Sequence, residues 1–451
     1  MNVIIVGAGD IGYASAETIS EIHDVLVMEQ DEGRVEVAKS RLNVSVLHDD
    51  GTNPKSLEYA IKKHNADAIV SALKNDDSNL FVCMMAKRID PKIRTIASVT
   101  NTDYVIKTTD EGEPGIDIII SPEIISAKKM YRLAIWENAV FYDSLDDPNV
   151  STAIFAVDGD KPIIGKTVMH LEMPAGCTIF GIYRDGSLRL DVYTMVIRAG
   201  DRIAVFGTED GLEQFNQLVG VEDMNKEFCI LGASMVGTNI AKLLSNDKKK
   251  RYVKIFDRDS EVCREISKSL TGVIVINADF TDPEVQSQEG IFKSDCTIAT
   301  SRVDDTNLLM TMTAQKHNAR KVITRYFKPD YRDIFSYTGL ESIIGYYGII
   351  SNEIIKSTVS DEMSLMRLRN DREVFFIHHV TQDSRLLGCY LGDLRLPEDV
   401  RIVAVRRGNE TIYPVLDTKF DEDDRVVVFT NTELTNNVKK AFVKGKGSLD
   451  R

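Results

Sequence analysis

The strongest constraint on this chain is that most of its pattern occurs twice. Val3 to Val6 is a continuously apolar, β-branched run that opens into Gly7-Ala8-Gly9-Asp10-Ile11-Gly12. Phe228 to Leu231 opens in the same way into Gly232-Ala233-Ser234-Met235-Val236-Gly237. The order then holds. Glu29 ends the next apolar run of the first half, and Asp257 ends that of the second. Asn277 to Thr281 restates His48 to Thr52, and Ser301 to Asn307 restates Leu73 to Asn79. Asp330-Tyr331 answers Asp103-Tyr104, and Ile349 to Ile355 matches Ile119 to Ile125 with one change. So many matches in one order mark a tandem duplication, so any fold assigned to one half must also suit the other.

Each half begins with strand-sized apolar runs separated by helical spacing. In the first half the runs are Val3–Val6, Val25–Met28, Val44–Leu47, Ala68–Ala72 and Thr95–Val99. Between them, apolar residues recur at helical intervals: Ile11, Ala14, Ile19 and Ile22; Leu57, Ala60 and Ile61; Phe81, Val82, Met84, Met85 and Ala86. Strands buried on both faces and alternating with helices predict a doubly wound parallel sheet. A helix over Ile119 to Ile135, continuing past Trp136, is expected to leave the first lobe as a connector, with Ile124, Ala127, Tyr131, Ala134 and Ile135 on one face. From about Val140 the texture changes to short runs: Ala153–Val157, Thr178–Tyr183, Arg189–Leu190 and Ile203–Phe206. Turns are signalled at Asp158-Gly159-Asp160, Asp185-Gly186 and Ala199-Gly200-Asp201, and Leu212, Phe215 and Leu218 suggest a closing helix. This is a compact α+β module, and it too recurs: Gly165, Leu171, Pro174 and Arg184 find partners in Gly388, Leu394, Pro397 and Arg407. The expected fold class is α/β, with two Rossmann-like doubly wound parallel-sheet lobes, each followed by a small α+β lobe. The expected boundaries are 1–138, 139–222, 223–366 and 367–451.

The chemistry gathers at the glycine corners. In a strand-turn-helix of the form G-x-G-x-x-G, Gly7 permits the tight turn, Gly9 lets the backbone approach a pyrophosphate, and Gly12 lets helix and strand pack closely. The helix N-terminus beneath Ala8, Asp10 and Ile11 offers free N–H groups and partial positive charge. Glu29 stands where a carboxylate can accept from ribose hydroxyls, and it would repel the extra phosphate of NADP. Ligands of such sheets bind beyond the carboxyl ends of the strands. Those ends also carry Asp50, Gly51, Thr52, Leu73, Lys74 and Ser98 in the first half. The second set is Gly232, Ala233, Ser234, Met235, Val236, Gly237, Asp257, Asp279, Phe280, Ser301, Arg302 and Arg325. Ser234 replaces Gly9 and puts a hydroxyl at the point of closest approach. It either blocks a dinucleotide or donates to a phosphate of a smaller nucleotide. Arg302 and Arg325 add cationic groups where the first half has Lys74 and Ser98, so the two sites are expected to be non-equivalent. Asp76, Asp77 and Ser78 read as helix caps.

Other functions fit poorly. With 69 acidic against 55 basic residues and a formal charge of −14, nucleic acid is not expected as the main partner. The six cysteines are scattered without a C-x-x-C pair and read as reduced core thiols. No apolar run approaches the ~20 residues of a membrane span, and no signal peptide is apparent. A soluble, cytoplasmic protein is expected. An NAD-dependent oxidoreductase would need a substrate domain supplying an acid or base beside the nicotinamide. The segment after the first lobe is too small for one, and the seven histidines are dispersed. His378-His379 falls in a strand-like run that would put one ring on each face, against joint metal binding. There is no P-loop lysine motif for ATP hydrolysis.

Two glycine-corner lobes, each followed by a connector helix and a small C-terminal lobe, resemble the TrkA family: cytosolic NAD-binding regulatory subunits of Trk-type potassium uptake systems, built from RCK (KTN) and TrkA-C domains. The resemblance covers essentially the whole chain. It implies tetrameric rings docked on the cytosolic face of a TrkH/TrkG-type membrane subunit, with nucleotide binding changing ring geometry and so gating potassium flux. It implies NAD or NADH at the first site, with ATP, ADP or another adenine nucleotide possible at the second. Ser234, and Ser98 where the family commonly has a basic residue, depart from the pattern. A ligand-sensing subunit of another cation channel or transporter is the alternative within the same class.

Overall fold

A computed structural model describes residues 1–108, 115–144, 150–221, 226–328, 330–358, 365–367, 373–408 and 410–443. The first lobe alternates strictly: β1 (Asn2–Val6), α1 (Asp10–Ile19), β2 (Asp24–Glu29), α2 (Glu32–Arg41), β3 (Ser45–His48) and α3 (Pro54–His64). It continues with β4 (Ala68–Ser71), α4 (Asp76–Ile89), β5 (Arg94–Ser98), α5 (Thr102–Thr108), β6 (Ile118–Ile120) and α6 (Pro122–Ile135). All pairings are parallel and the order is β3-β2-β1-β4-β5-β6. The order reverses between β1 and β4, the switch point above which such sheets bind ligands.

A five-stranded antiparallel lobe follows: β7 (Ala139–Ser144), β8 (Ser151–Ala156), β9 (Cys177–Arg184), β10 (Ser187–Arg189) and β11 (Arg202–Gly207), closed by α7 (Glu209–Val219). The second large lobe repeats the first: β12 (Glu227–Leu231), α8 (Met235–Ser245), β13 (Tyr252–Asp257), α9 (Ser260–Ser269), β14 (Val273–Asn277) and α10 (Pro283–Gln288). Then come β15 (Cys296–Ala299), α11 (Asp304–Lys316), β16 (Val322–Tyr326), α12 (Tyr331–Tyr337), β17 (Ile343–Gly345) and α13 (Tyr346–Thr358), with the sheet order β14-β13-β12-β15-β16-β17. The last lobe holds β18 (Leu365–Arg367), β19 (Glu373–His379), β20 (Arg401–Arg407), β21 (Glu410–Ile412), β22 (Arg425–Asn431) and α14 (Thr435–Ala441).

Three details differ from the sequence reading. Helix α1 stops at Ile19, and Ile22 lies beyond it at 37% exposure. The segment expected as one helix from Ile119 begins as a strand, because Ile118-Ile119-Ile120 extends the sheet beside β5 and Pro122 then starts α6. That helix ends at Ile135, short of Trp136. The match of Ile349–Ile355 to Ile119–Ile125 is not the structural one. Ser98 pairs with Ile120 but Arg325 pairs with Ile344, so the sixth strand of the second lobe is β17 and residues 349–355 lie inside α13.

The chain gathers into two compact units, Met1–Tyr131 with Lys226–Thr358, and Arg132–Asn225 with Val359–Arg451. Each takes a piece from both halves. In the unit of large lobes, helix α1 lies against α13, where Ser351 donates to the Ala14 carbonyl at 3.3 Å. Each sheet has its own core: Ile4, Val6, Met28, Leu57, Ile69 and Val82 in the first, and Leu231, Phe256, Phe280, Ile291 and Met310 in the second. In the unit of small lobes part of the core is shared between the two. Phe180 and Phe206 pack against Phe375 and Phe429, with Phe180–Phe429 centroids 5.0 Å apart. The last lobe also has a core of its own, with Phe376, Val405, Phe420 and Phe442. The repeated arginines are clamps. Arg184 grips the buried Asp201 with two bonds of 2.7 Å, and Arg407 grips Asp424 with two of 2.8 Å. Among the described residues no helix is long and apolar enough to cross a membrane.

Candidate functional site: two glycine corners

The first corner joins β1 to α1 at the switch point. Gly7 has φ +98°, and a Cβ there would lie 2.9 Å from the Ala72 carbonyl oxygen. A Cβ on Gly12 would overlap the Gly7 carbonyl oxygen. Both glycines are fixed by the fold. Gly9 is different: its backbone (φ −66°, ψ −177°) suits any residue, and the nearest atom to an added Cβ is Arg34 Nη1 at 3.7 Å. The space over Gly9 is therefore not required by packing within the chain.

Glu29 stiffens this corner. Its side chain is 5% exposed, Oε2 accepts from the Ala8 N–H at 2.6 Å, and Oε1 accepts from Gln30 and Asp31 at 2.8 and 2.9 Å. It holds the backbone of the loop and still offers unused lone pairs. Asp10 is exposed on the first turn of α1, Ile11 is half-buried beside it, and Leu73, Lys74 and Ser98 stand at the ends of β4 and β5. Asp50 accepts from both the N–H and the hydroxyl of Thr52, at 2.9 and 2.7 Å, so it builds its own turn. Gly51 is demanded by packing, since a Cβ would overlap Val6 Cγ1.

The second corner has the same backbone and a different filling. Gly232 has φ +102°, and Ala233 donates to Asp257 at 2.8 Å as Ala8 does to Glu29. Ser234 adopts φ −64°, ψ 167°, nearly the angles of Gly9. Its hydroxyl does not point a proton outward. It donates to the Thr300 carbonyl at 2.7 Å and accepts from Gly237 at 3.3 Å. Arg325, 3% exposed, bonds the same two groups: Ser234 Oγ at 3.2 Å and Thr300 O at 2.9 Å. Burial brings its guanidinium down to about 10. Met235 is half-buried and Val236 and Gly237 are buried, while Ser301 is half-buried and Arg302 exposed. Asp279 turns on Thr281 at 2.9 and 2.6 Å, bonds that hold its carboxyl below the usual range. Phe280 is 8% exposed, and its ring packs in the core of the second lobe.

Asp76 and Asp77 stand in the first turn of α4, as their helix-end reading expects, and their side chains also reach beyond the helix. Asp76 accepts from Thr100 and Asn101 at 2.9 and 2.7 Å, tying down the loop after β5, and Asp77 accepts from Tyr104 at 2.9 Å. Asp304 does the same for Phe327 and Lys328 at 2.8 and 3.0 Å. Asn79 completes the clamp by bonding Ser71, Leu73 and the Ser98 carbonyl. The recurrence of Asp-Asp-x-Asn in both halves was the available signal. Glu123 was missed. It is 8% exposed, accepts from the Tyr346 hydroxyl at 2.7 Å, and burial raises its carboxyl.

The TrkA-N domain model matches residues 3–122 and 228–345, and the TrkA-C domain model matches 152–220 and 376–443. The chain belongs to the TrkA family. It is 30% identical to the Trk system potassium uptake protein TrkA homolog of Archaeoglobus fulgidus, covering 98% of this chain and 100% of that one. It is 24% identical to the TrkA of Vibrio alginolyticus, covering 98% of each. Among solved structures it resembles the GsuK RCK domain, with TM-score 0.61 and 18% identity over 98% of this chain and 94% of that one. It also resembles the GsuK channel bound to NAD, with TM-score 0.62 and 18% identity over 98% and 78%. The likeness to these structures concerns the tandem of parallel-sheet lobes and small lobes.

Proposed function

We propose that this chain is the nucleotide-sensing regulatory subunit of a Trk-type potassium uptake system, with NAD or NADH at the first corner. The observation that carries this is the open space over Gly9, set on a helix N-terminus and braced by Glu29. Gly7 to Gly12 would cradle the pyrophosphate, and Glu29 would meet the ribose with the lone pairs not used by Ala8, Gln30 and Asp31. Asp50, Gly51, Thr52, Leu73, Lys74 and Ser98 would frame the rest at the strand ends. The TrkA relatives, and the fold shared with the GsuK channel bound to NAD, support the same reading.

The second corner, from Gly232 to Gly237 with Asp257, Asp279, Ser301, Arg302 and Arg325, would take ATP, ADP or another adenine nucleotide more weakly. Arg325 must leave Ser234 and Thr300 before a phosphate can take their place. We further propose four lobes at 1–138, 139–222, 223–366 and 367–451. Copies of the chain would form a ring, tetrameric by resemblance, docked on the cytosolic face of a TrkH/TrkG-type membrane subunit. The bound nucleotide makes or breaks no bond. It shifts the ring only as far as its affinity differs between two arrangements, and moving from mostly closed to mostly open takes about 5.5 kcal/mol.

The test is titration of the full-length protein with NAD, NADH, ATP and ADP by calorimetry, alongside an assay of hydride transfer. Micromolar binding of NAD or NADH without turnover is expected. Turnover of the nicotinamide, or no binding of any of the four, overturns the assignment.

A further inference from the structure

We propose that the tyrosine pair at the head of α13, Tyr346-Tyr347, transmits occupancy of the first glycine corner to the second. The inference rests on the nucleotide reading above and goes beyond it by naming the link.

The contacts run without a gap through one unit. Tyr347 donates to Asp10 Oδ2 at 3.0 Å, and Asp10 is the fourth residue of the first corner. The Tyr347 and Tyr346 rings meet edge-on at 5.4 Å. Tyr346 touches Phe327 at 5.0 Å, and the Arg325 guanidinium lies over Phe327 at 4.6 Å. Arg325 in turn bonds Ser234, the third residue of the second corner, at 3.2 Å. Tyr346 is also fastened to the first lobe through Glu123 at 2.7 Å. Among the described residues the second half has no equivalent of the first link, because Met235 stands at the helix position of Asp10. The ladder likewise puts Tyr347 where the first half has Glu123. The path is therefore built once, from the first corner to the second.

The sign follows from electrostatics. Asp10 carries its charge at the N-terminus of α1, the place where a pyrophosphate would bind, and like charges repel at that range. A bound nucleotide therefore favours the Asp10 orientation turned aside onto Tyr347, and this fastens the head of α13 to the first lobe. The far end is able to respond because it is incompletely bonded: among the described residues, Glu123 Oε2 and Arg325 Nε are both buried without a partner. A rearrangement that gives either atom a partner would offset the cost of leaving it unpaired. Coupling also runs both ways, so weakening the link must weaken nucleotide binding by the same factor that it removes from the second corner.

Hydrogen–deuterium exchange of the full-length protein, with and without saturating NADH, tests the link. In the wild type, NADH should slow exchange at least fivefold in the peptide over residues 7–12. It should also slow exchange at least threefold in peptides over 232–238 and 343–350. In Tyr347→Phe, which removes one hydroxyl, the first peptide should still be protected while the second-corner response disappears. NADH affinity should fall no more than about fivefold. Tyr346→Phe, which keeps the ring contact but frees Glu123, should halve the response or more. Equal second-corner protection in the wild type and Tyr347→Phe, or none in the wild type, overturns the link while leaving the nucleotide reading intact. Absence of protection at residues 7–12 in the wild type overturns both.

Discussion

Gly9→Ala separates what the fold needs from what a ligand needs. Gly9 has backbone angles open to alanine, an added Cβ has 3.7 Å to its nearest neighbour, and Ser234 already carries a side chain at nearly the same φ and ψ. Losing glycine from the unfolded chain stabilises by about 0.4–1 kcal/mol, and a poorer N-cap costs about 0.5 kcal/mol, so stability should change by less than about 0.5 kcal/mol. Binding should change far more. A methyl over the loop holds phosphate oxygens off the N–H groups and removes one or two charge-assisted hydrogen bonds, worth about 1.5–3 kcal/mol each. Losing one such bond raises the NADH Kd about 10- to 150-fold. The control is Gly12→Ala, whose Cβ would overlap the Gly7 carbonyl oxygen and should lower the melting temperature. Calorimetric titration with NADH and a thermal melt on both variants give the two readouts. An unchanged Kd in Gly9→Ala, with the fold intact, would refute the reasoning that the space over Gly9 serves phosphate.

Three other outcomes follow from the structure. Asn79→Ala strips partners from Ser71, Leu73 and the Ser98 carbonyl, and should cost about 3 kcal/mol in urea unfolding at roughly 1–3 kcal/mol per orphaned buried group. Arg184→Gln leaves the buried Asp201 carboxylate without its two-pronged partner and should destabilise the small lobes by about 3 kcal/mol; Arg184→Lys should recover only part, since an ammonium cannot make both bonds. Burial lowers His378 from 6.5 to about 4, so on acidification the unfolded chain takes up the proton first. Its contribution is full above about pH 6.5 and is lost between 6.5 and 4, up to about 3 kcal/mol, and His378→Gln should flatten that part of a melting-temperature profile.

The large lobes were legible because their signals are local. A continuous β-branched run such as Val3–Val6 and a strand-helix corner with glycines at fixed offsets leave little choice of fold, and duplication doubles the reading. Two kinds of information were not local. The sixth strand was missed because Ile118-Ile119-Ile120 has only three residues, and its apolar run continues into a helix with the same composition; only pairing with β5 separates them. The packing of one small lobe against the other was not legible, because alternation shows which residues of a strand are buried, not what buries them. Phe180 and Phe375 lie in different halves of the sequence and meet at 5.2 Å. In the sites, the residue types drew attention to Glu29, Asp257 and Ser234, and in the structure their bonds go first to the backbone of the chain itself. A carboxylate at a strand end has the same appearance in sequence whether it holds a ribose or a loop.

The divergence of the two corners bears on why the duplication persists as one chain. If both halves bound the same nucleotide equally, two copies of a half-length chain would serve as well, and each interface would have to be self-complementary. Here the halves are specialised on opposite sides of one seam. The first has an open loop and contributes Asp10 and Glu123; the second has a loop filled by Ser234 and Arg325 and contributes Tyr346 and Tyr347. Neither half could make these contacts with a copy of itself in the same sense, since Met235 lacks the carboxylate of Asp10 and Ser98 lacks the guanidinium of Arg325. Covalent linkage keeps the two kinds of half in equal number and next to each other. It also fixes the direction of the seam, with the acceptors for the two tyrosines on the first half and the donors on the second.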